Sequence, residues 1–354
     1  MRDKPLGEFE TISTIRQLAE KVRVSEHVRL GIGDDCCMVV PGEGEEIALS
    51  TDTIVEDVHF RVGYFDYYQI GVKAAAAALS DLAAMAAIPV GSLASICIRR
   101  DQNISDLIIQ LSRGIIDTGA RFGCPLIGGD LSSSIGPLVV NITVIGRVQK
   151  DGAIKRSGAR PGDGIWVTGN LGDSSAALVC LEERLRDGGK KRLPEPFEMV
   201  KKSLFDPVPR LVEARLLKEF GPPSAMIDIS DGLAADLGHI LEASQVGATL
   251  YAETFPVSEF SKSVAMAHGL PPWHFFLYGG EDYELCFTAQ PGLLEKHIPR
   301  LKAKTGTNFS YIGKITKEDG SLTFQHPDGS LTPVSKSGFD HFTDHSPIHR
   351  KDLR

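Results

Sequence analysis

Three apolar stretches in this chain each end on an aspartate, and that recurrence constrains the fold more than any other feature. Ile47-Ala48-Leu49-Ser50-Thr51-Asp52, Pro125-Leu126-Ile127-Gly128-Gly129-Asp130 and Ala225-Met226-Ile227-Asp228 each read as a strand that delivers a carboxylate at its end. Gly33-Asp34-Asp35 and Asp228-Ile229-Ser230-Asp231 extend the pattern, and Asp81 stands alone in an Ala-rich helix. Asp beside Gly, Ser or Thr is ordinary turn and N-cap vocabulary, which accounts for any one motif taken singly. Capping gives no reason for the repetition. Carboxylates that converge repel one another, so a fold that collects them needs cations, and an oxygen-only donor set selects hard ions such as Mg²⁺. Mg²⁺ keeps several waters and takes one or two protein carboxylates per ion alongside substrate phosphates. Many separate aspartates therefore imply several ions around a polyphosphate, which points to nucleotide chemistry.

At 354 residues the chain is past the size at which single cores stop growing, so two domains are expected. Its 42% apolar and 24% charged residues are those of a soluble globular protein. A net charge of −8 argues against a nucleic-acid groove and suits metal-mediated capture of anions. The stretch Ile70 to Ile88 is interrupted by Lys73 and Asp81 and is mostly Ala, so it reads as a buried helix rather than a membrane span. The N-terminus has no apolar signal region, and the six cysteines (Cys36, Cys37, Cys97, Cys124, Cys180, Cys286) have no C-x-x-C spacing. These features predict reduced core cysteines in a cytoplasmic protein.

Periodicity predicts helices over about Glu8 to Ala19, Gly71 to Ala87 (ending ahead of Pro89), Asp106 to Phe122, Ser175 to Glu183 and Leu233 to Ala243. Glu46 to Leu49, Leu138 to Val148 and Ile165 to Thr168 read as strands, and Gly279 to Phe287 as a loop entering one. The run Ala74 to Ala78 would let another backbone approach closely. A turn-rich boundary at Gln149 to Gly164 divides the chain into 1–149 and 150–344, with 345–354 a polar tail. Arg184 to Pro196 reads as an exposed connector. Gly169 to Gly172 could present amides to a phosphate or simply turn the chain. The alternation of strands and helices makes this an α/β or α+β protein.

No P-loop G-x-x-x-x-G-K-[ST] is present, no G-x-G-x-x-G follows a first strand, and the H-R-D and D-F-G signatures are missing. Nucleotide handling must come from another architecture. Gly31-Ile32-Gly33-Asp34-Asp35, Ser50-Thr51-Asp52-Thr53 with Val58-His59-Phe60, and Leu79-Ser80-Asp81-Leu82-Ala83-Ala84-Met85 resemble the N-terminal half of the thiamine-monophosphate kinase family. The resemblance continues, in order, through Gly128-Gly129-Asp130, Arg156 to Asp163, Asp228 to Leu233, Gly279-Gly280-Glu281-Asp282-Tyr283-Glu284-Leu285 and Gly338-Phe339-Asp340-His341-Phe342.

That resemblance implies a two-domain fold like aminoimidazole ribonucleotide synthetase. It implies a homodimer whose N-terminal α/β domains pair their sheets into a shared barrel, with α+β C-terminal domains outside. It also implies a reaction in which ATP and thiamine monophosphate give ADP and thiamine diphosphate. Carried over by position, Asp35, Ser50, Thr51, Asp52, Asp81, Asp130, Asp228 and Asp231 match metal ligands, with Asp34 behind them. Gly129, Asp130, Arg156 and Ser230 match ATP contacts. His59, Glu281 and Phe339 match contacts to thiamine monophosphate. The chain departs from the family at Ala78 (commonly Asn), at Leu131-Ser132-Ser133 (commonly Thr-Thr) and at Ala86 (usually Gly). The alternatives are another ATP-using enzyme of the same superfamily and a non-catalytic metal and nucleotide sensor. Selenophosphate chemistry would favour a reactive Cys near the N-terminus, and none precedes Cys36; a sensor would tolerate losing several of the carboxylates retained here.

Overall fold

The computed structural model describes residues 8–99, 104–318, 320–326 and 328–336. The chain forms two compact units. One is built on residues up to Leu82, Ala87–Ala153 and Phe205–Pro207, the other on Ala83–Ala86, Ile154–Leu204 and the chain from Val208 onward.

In the first unit, α1 (Glu8–Ala19) precedes a small antiparallel pair, β1 (Val28–Leu30) and β2 (Met38–Val39). Then come β3 (Glu45–Val55), α2 (Tyr67–Ala84), β4 (Ile88–Arg99), α3 (Ile104–Phe122), β5 (Leu126–Ser134) and β6 (Val139–Gln149). The four long strands form one sheet in the order β3-β6-β4-β5, antiparallel except for the β4–β5 pair. Alternation along β6 shows the layering. Val140, Ile142 and Val144 are fully buried, while Asn141 and Thr143 between them are half-buried on the other face. Helices α2 and α3 pack closely at two glycines: a Cβ on Gly71 would lie 2.0 Å from Leu111 O, and one on Gly114 would lie 2.1 Å from Tyr68 O. The alanines 74–78 are all buried, but the closest backbone approach runs through these glycines instead.

Two element boundaries differ from expectation for local reasons. Strand β3 does not stop at Leu49, because Thr51, Thr53, Ile54 and Val55 supply β-branched residues and pair with β6 as far as Val55 opposite Val139. Asp52 and Asp130 therefore lie inside strands rather than at their ends; only Asp228, next to last in its strand, keeps the expected place. Helix α2 starts a turn early, where Asp66 and Gln69 cap each other: Gln69 N–H donates to Asp66 Oδ1 at 2.7 Å and Asp66 N–H to Gln69 Oε1 at 3.0 Å. It ends at Ala84, ahead of the left-handed Ala86 (φ 52°), rather than running on to Ala87.

The second unit contains β7 (Gly164–Thr168), α4 (Asp173–Arg186), α5 (Phe197–Phe205), α6 (Leu211–Phe220), β8 (Ala225–Ile229), α7 (Leu233–Ser244) and β9 (Gly247–Tyr251). It continues with α8 (Glu259–Ala267), α9 (His274–Tyr278), β10 (Glu284–Ala289), α10 (Ile298–Thr305), β11 (Phe309–Thr316), β12 (Leu322–Gln325) and β13 (Leu331–Pro333). Its seven-stranded sheet runs β13-β12-β9-β11-β7-β10-β8, with β12 and β9 the one parallel pair. Val167, Ile227 and Ile229 from the sheet and Leu233, Leu237 and Leu241 from α7 share its core, which holds the Asp228 to Asp231 turn against α7.

All six cysteines are free. Cys124, Cys180 and Cys286 are core residues, and burial pushes the thiols of Cys124 up to about 12 and Cys180 up to about 11. Cys36 is exposed and Cys37 and Cys97 are half-buried, so the expectation of core cysteines holds for only half of them. Among the described residues no helix is long and apolar enough to cross a membrane.

Candidate functional site

In the first unit the alternation of β3 sorts the acidic motif by face. Ser50 lies on the face covered by α2, where its hydroxyl makes a short hydrogen bond to Asp81 Oδ2. Asp81 is thus half-buried on α2 beside the strand, not a solvent-facing helix residue. Thr51 faces the other way, its Oγ1 accepting from Asn141 Nδ2 at 3.0 Å and lying 3.1 Å from Thr143 Oγ1. The hydroxyls of Ser50 and Thr51 therefore point to opposite sides of the sheet and cannot serve one ion together.

Strand register separates the two central aspartates. Asp52 lies opposite Ile142, which lies opposite Ala94, which pairs with Gly129; Asp130 falls in the next row, with Ser95, Asn141 and Thr53. The two sit on the opposite edge strands, on the order of 14 Å apart at the usual strand spacing. Mg–O bonds are only about 2 Å long, so within one chain no single ion takes both carboxylates. Gly129 is required by the sheet itself, since with φ 155° a Cβ there would lie 2.0 Å from Ala94 O. Asp34 shapes its own turn by accepting Asp35 N–H at 2.9 Å and leaves Asp35 exposed. His59 is held from two sides: Val55 N–H donates to its Nδ1 at 3.0 Å, and the ammonium of Lys73, 1% exposed, donates to its carbonyl at 2.9 Å.

In the second unit Asp228 is buried in β8, and the turn after it is fixed by Asp236 of α7. Asp236 Oδ2 accepts the N–H groups of Ser230 at 3.0 Å and Asp231 at 3.2 Å. Burial, reinforced by the charges of Asp228 and Asp231, holds the Asp236 carboxyl well above the usual aspartate range, although the two N–H groups oppose the shift. The carbonyl of Ser230 in turn accepts Glu281 N–H at 2.7 Å, so an expected nucleotide contact and an expected substrate contact are joined by one backbone bond.

In the loop Gly169 to Gly172, Gly169 N–H donates to Asn308 O at 2.9 Å and Gly172 N–H to the carboxylate of Asp282, so these two amides are taken by the protein itself. Arg156 is exposed, and its carbonyl accepts Ser244 Oγ at 3.3 Å. Phe339 and the tail 345–354 lie outside the described residues. Among the described residues, no group of three or more His, Cys, Asp and Glu side chains is arranged to hold a metal ion.

The profile for AIR synthase related protein, N-terminal domain, matches residues 33–148, and that for the C-terminal domain matches residues 160–325. The thiamine-monophosphate kinase of Escherichia coli (strain K12) is 36% identical over 339 residues, 95% of this chain and 98% of its own. The chain belongs to the thiamine-monophosphate kinase family. The crystal structure of thiamine-monophosphate kinase from Stenotrophomonas maltophilia K279a matches with TM-score 0.78 at 32% identity, over 92% of this chain and 98% of that one. AaThiL complexed with AMPPCP and TMP matches with TM-score 0.72 at 29% identity, over 97% and 99%. Membership in the thiamine-monophosphate kinase family also brings the two-domain AIR synthase-like fold that the motifs implied.

Three residues that the motifs left without a site role fix the local structure around the expected contacts. Asp236 lies one helical turn beyond the Asp228 to Asp231 motif, Lys73 is one of two charges in the apolar run of α2, and Asp282 adjoins Glu281. Only Lys73 had a signal, a charge within an otherwise apolar run.

Proposed function

We propose that this chain transfers the γ-phosphoryl group of ATP to thiamine monophosphate, giving ADP and thiamine diphosphate in a single in-line step. The observation that carries this reading is the collinear match to thiamine-monophosphate kinases over 95% of the chain, with AaThiL, a structural neighbour, complexed with AMPPCP and TMP. Both substrates present anionic phosphates that must meet in line, and Mg²⁺, when bound, supplies the positive charge that offsets their repulsion.

The donor set fits such ions. It is all oxygen, and its members are distributed singly or in pairs, as Mg²⁺ bound partly by substrate and water requires. The charges of Asp228 and Asp231 both push the Asp236 carboxyl up, so this turn carries paired negative charge that a cation relieves. In this reading Asp35, Asp52, Asp81 and Asp130 on one unit and Asp228 and Asp231 on the other hold ions, with Ser50 through its hydroxyl and Thr51 through its backbone oxygen. Gly129, Asp130, Arg156 and Ser230 contact ATP, while His59, Glu281 and Phe339 contact thiamine monophosphate. Residues 1–149 act as the dimerisation and metal- and ATP-binding domain and 150–344 as its α+β partner. The chain works as a cytoplasmic homodimer. The open face of the first sheet supports pairing, since Leu49 is 66% exposed there beside an exposed Ile47.

A coupled assay for ADP release tests the reading. ADP should form only when ATP, Mg²⁺ and thiamine monophosphate are all present. Equal release without thiamine monophosphate, or with free thiamine in its place, would sink it.

A further inference from the structure

Glu281 and Tyr283 both adopt left-handed backbone conformations, with φ 64° and 51°, although neither is glycine. A residue carrying a Cβ takes that region at a cost, so the surroundings must impose it. Asp282 lies between them, buried, with Oδ1 and Oδ2 accepting the N–H of Gly172 at 3.0 and 2.9 Å. Gly172 is packed against the backbone of Phe275, since a Cβ there would lie 2.6 Å from it. On either side of this anchor the backbone donates into the end of β8, Glu281 N–H to Ser230 O at 2.7 Å and Tyr283 N–H to Ile229 O at 2.8 Å. Ser175 Oγ closes the arm by donating to Gly280 O at 3.1 Å.

We propose that Asp282 is a positioning residue: by tying the arm to Gly172 it holds Glu281 in its strained conformation and so fixes where thiamine monophosphate sits relative to the Ser230 turn. The inference rests on the reading of Glu281 as a contact to that substrate. Burying a carboxylate is costly, and a neutral residue of the same size would fill the space more cheaply. What the carboxylate supplies is a pair of acceptors aimed at one fixed N–H, which sets the direction of the arm. Gly172 also immediately precedes α4, so the competing account is that Asp282 does no more than stabilise a helix start.

A double-mutant cycle on the purified enzyme separates these accounts. Asp282→Asn keeps the volume but turns one acceptor into a donor facing Gly172. It should raise KM for thiamine monophosphate about tenfold and leave KM for ATP within about twofold. In a Glu281→Gln background the same change should add less than about twofold, because Asp282 acts through Glu281. A folded Asp282→Asn enzyme with the parent KM overturns the proposal. So does an equal rise in KM in both backgrounds, and so does a lowered Tm with both KM values unchanged. Should Asp282→Asn not fold, Ser175→Ala loosens the same arm by removing one hydroxyl; a smaller rise of the same pattern is expected, and an unchanged KM overturns the proposal. If Glu281→Gln alone leaves KM for thiamine monophosphate unaltered, the assignment of Glu281 itself fails and this inference falls with it. If Glu281→Gln raises KM and the Asp282 change does not, only the inference fails.

Discussion

The backbone N–H of Val55 donates to Nδ1 of His59 at 3.0 Å. A backbone N–H can only donate, so Nδ1 carries the lone pair and, in the neutral ring, Nε2 carries the proton. That tautomer can offer a hydrogen bond to a phosphate oxygen through Nε2. It is a poor nucleophile: Nε2 has no free lone pair, and Nδ1 is occupied by Val55. Phosphoryl transfer through His59 would need the other tautomer, with two N–H groups face to face. Net inversion at a chiral γ-phosphorus is therefore expected, as one in-line displacement requires. Net retention, or labelled phosphate trapped on His59 when acceptor is absent, would make His59 a covalent carrier instead.

Asp52 and Asp130 occupy opposite edge strands of one sheet, so each should serve its own ion. Changing either to Asn should lower kcat by about 100-fold or more without disturbing the fold, since both side chains lie on or near the surface of the unit. The Mg²⁺ dependence of each single variant should also shift. Normal turnover with normal Mg²⁺ dependence in either variant removes that residue from the site.

The sequence disclosed the regular parts of this fold where periodicity and burial agree. Helix α1 is placed by the helical spacing of Ile12, Ile15 and Leu18, although Phe9 at its start is 83% exposed, and β7 by its run of apolar residues before Gly169. It was less informative where polar residues carry the local structure. The extension of β3 through Thr51, Asp52 and Thr53 looks polar, yet cross-strand bonds to Asn141 keep it in the sheet. In the candidate site the exposed or half-buried acids were legible because they stand out against apolar strands. Asp236 and Asp282 were not, because their importance lies in backbone N–H groups brought to them by tertiary packing.

Ala86, which is not glycine, has φ 52°. The left-handed conformation allows Ala86 N–H to reach Ala83 O at 2.9 Å and Ala87 N–H to reach Leu82 O at 2.9 Å, which closes the end of α2. A methyl group makes that conformation costly, whereas glycine adopts it freely. Ala86→Gly should stabilise the protein by roughly 1 kcal/mol, the cost of the left-handed methyl less the extra chain entropy of glycine. Denaturant titration measures this. A loss of stability would mean that the buried methyl contributes more by packing than it costs in strain.

Asp282 makes stability depend on pH in the direction opposite to an ordinary paired aspartate. Burial pushes its carboxyl well above the usual range, and the charges of Glu284 and Asp173 push the same way, while the N–H groups of Gly172 and Ser174 oppose them. The folded state therefore holds this proton more tightly than the unfolded chain, whose aspartates titrate near ~3.9. Between that value and the raised folded value, more protons are bound in the folded state, so stability falls as pH rises. The contribution is fully present below the unfolded value and is lost as pH climbs through the folded one. Other acids obscure this in the parent protein alone, so the measurement is a comparison. Relative to Asp282→Asn, which has no proton to lose, the parent should lose on the order of a few degrees of Tm as pH is raised from 4 to 8. A difference in Tm that stays constant over that range would mean that Asp282 titrates like an exposed aspartate, and that its burial carries no electrostatic cost.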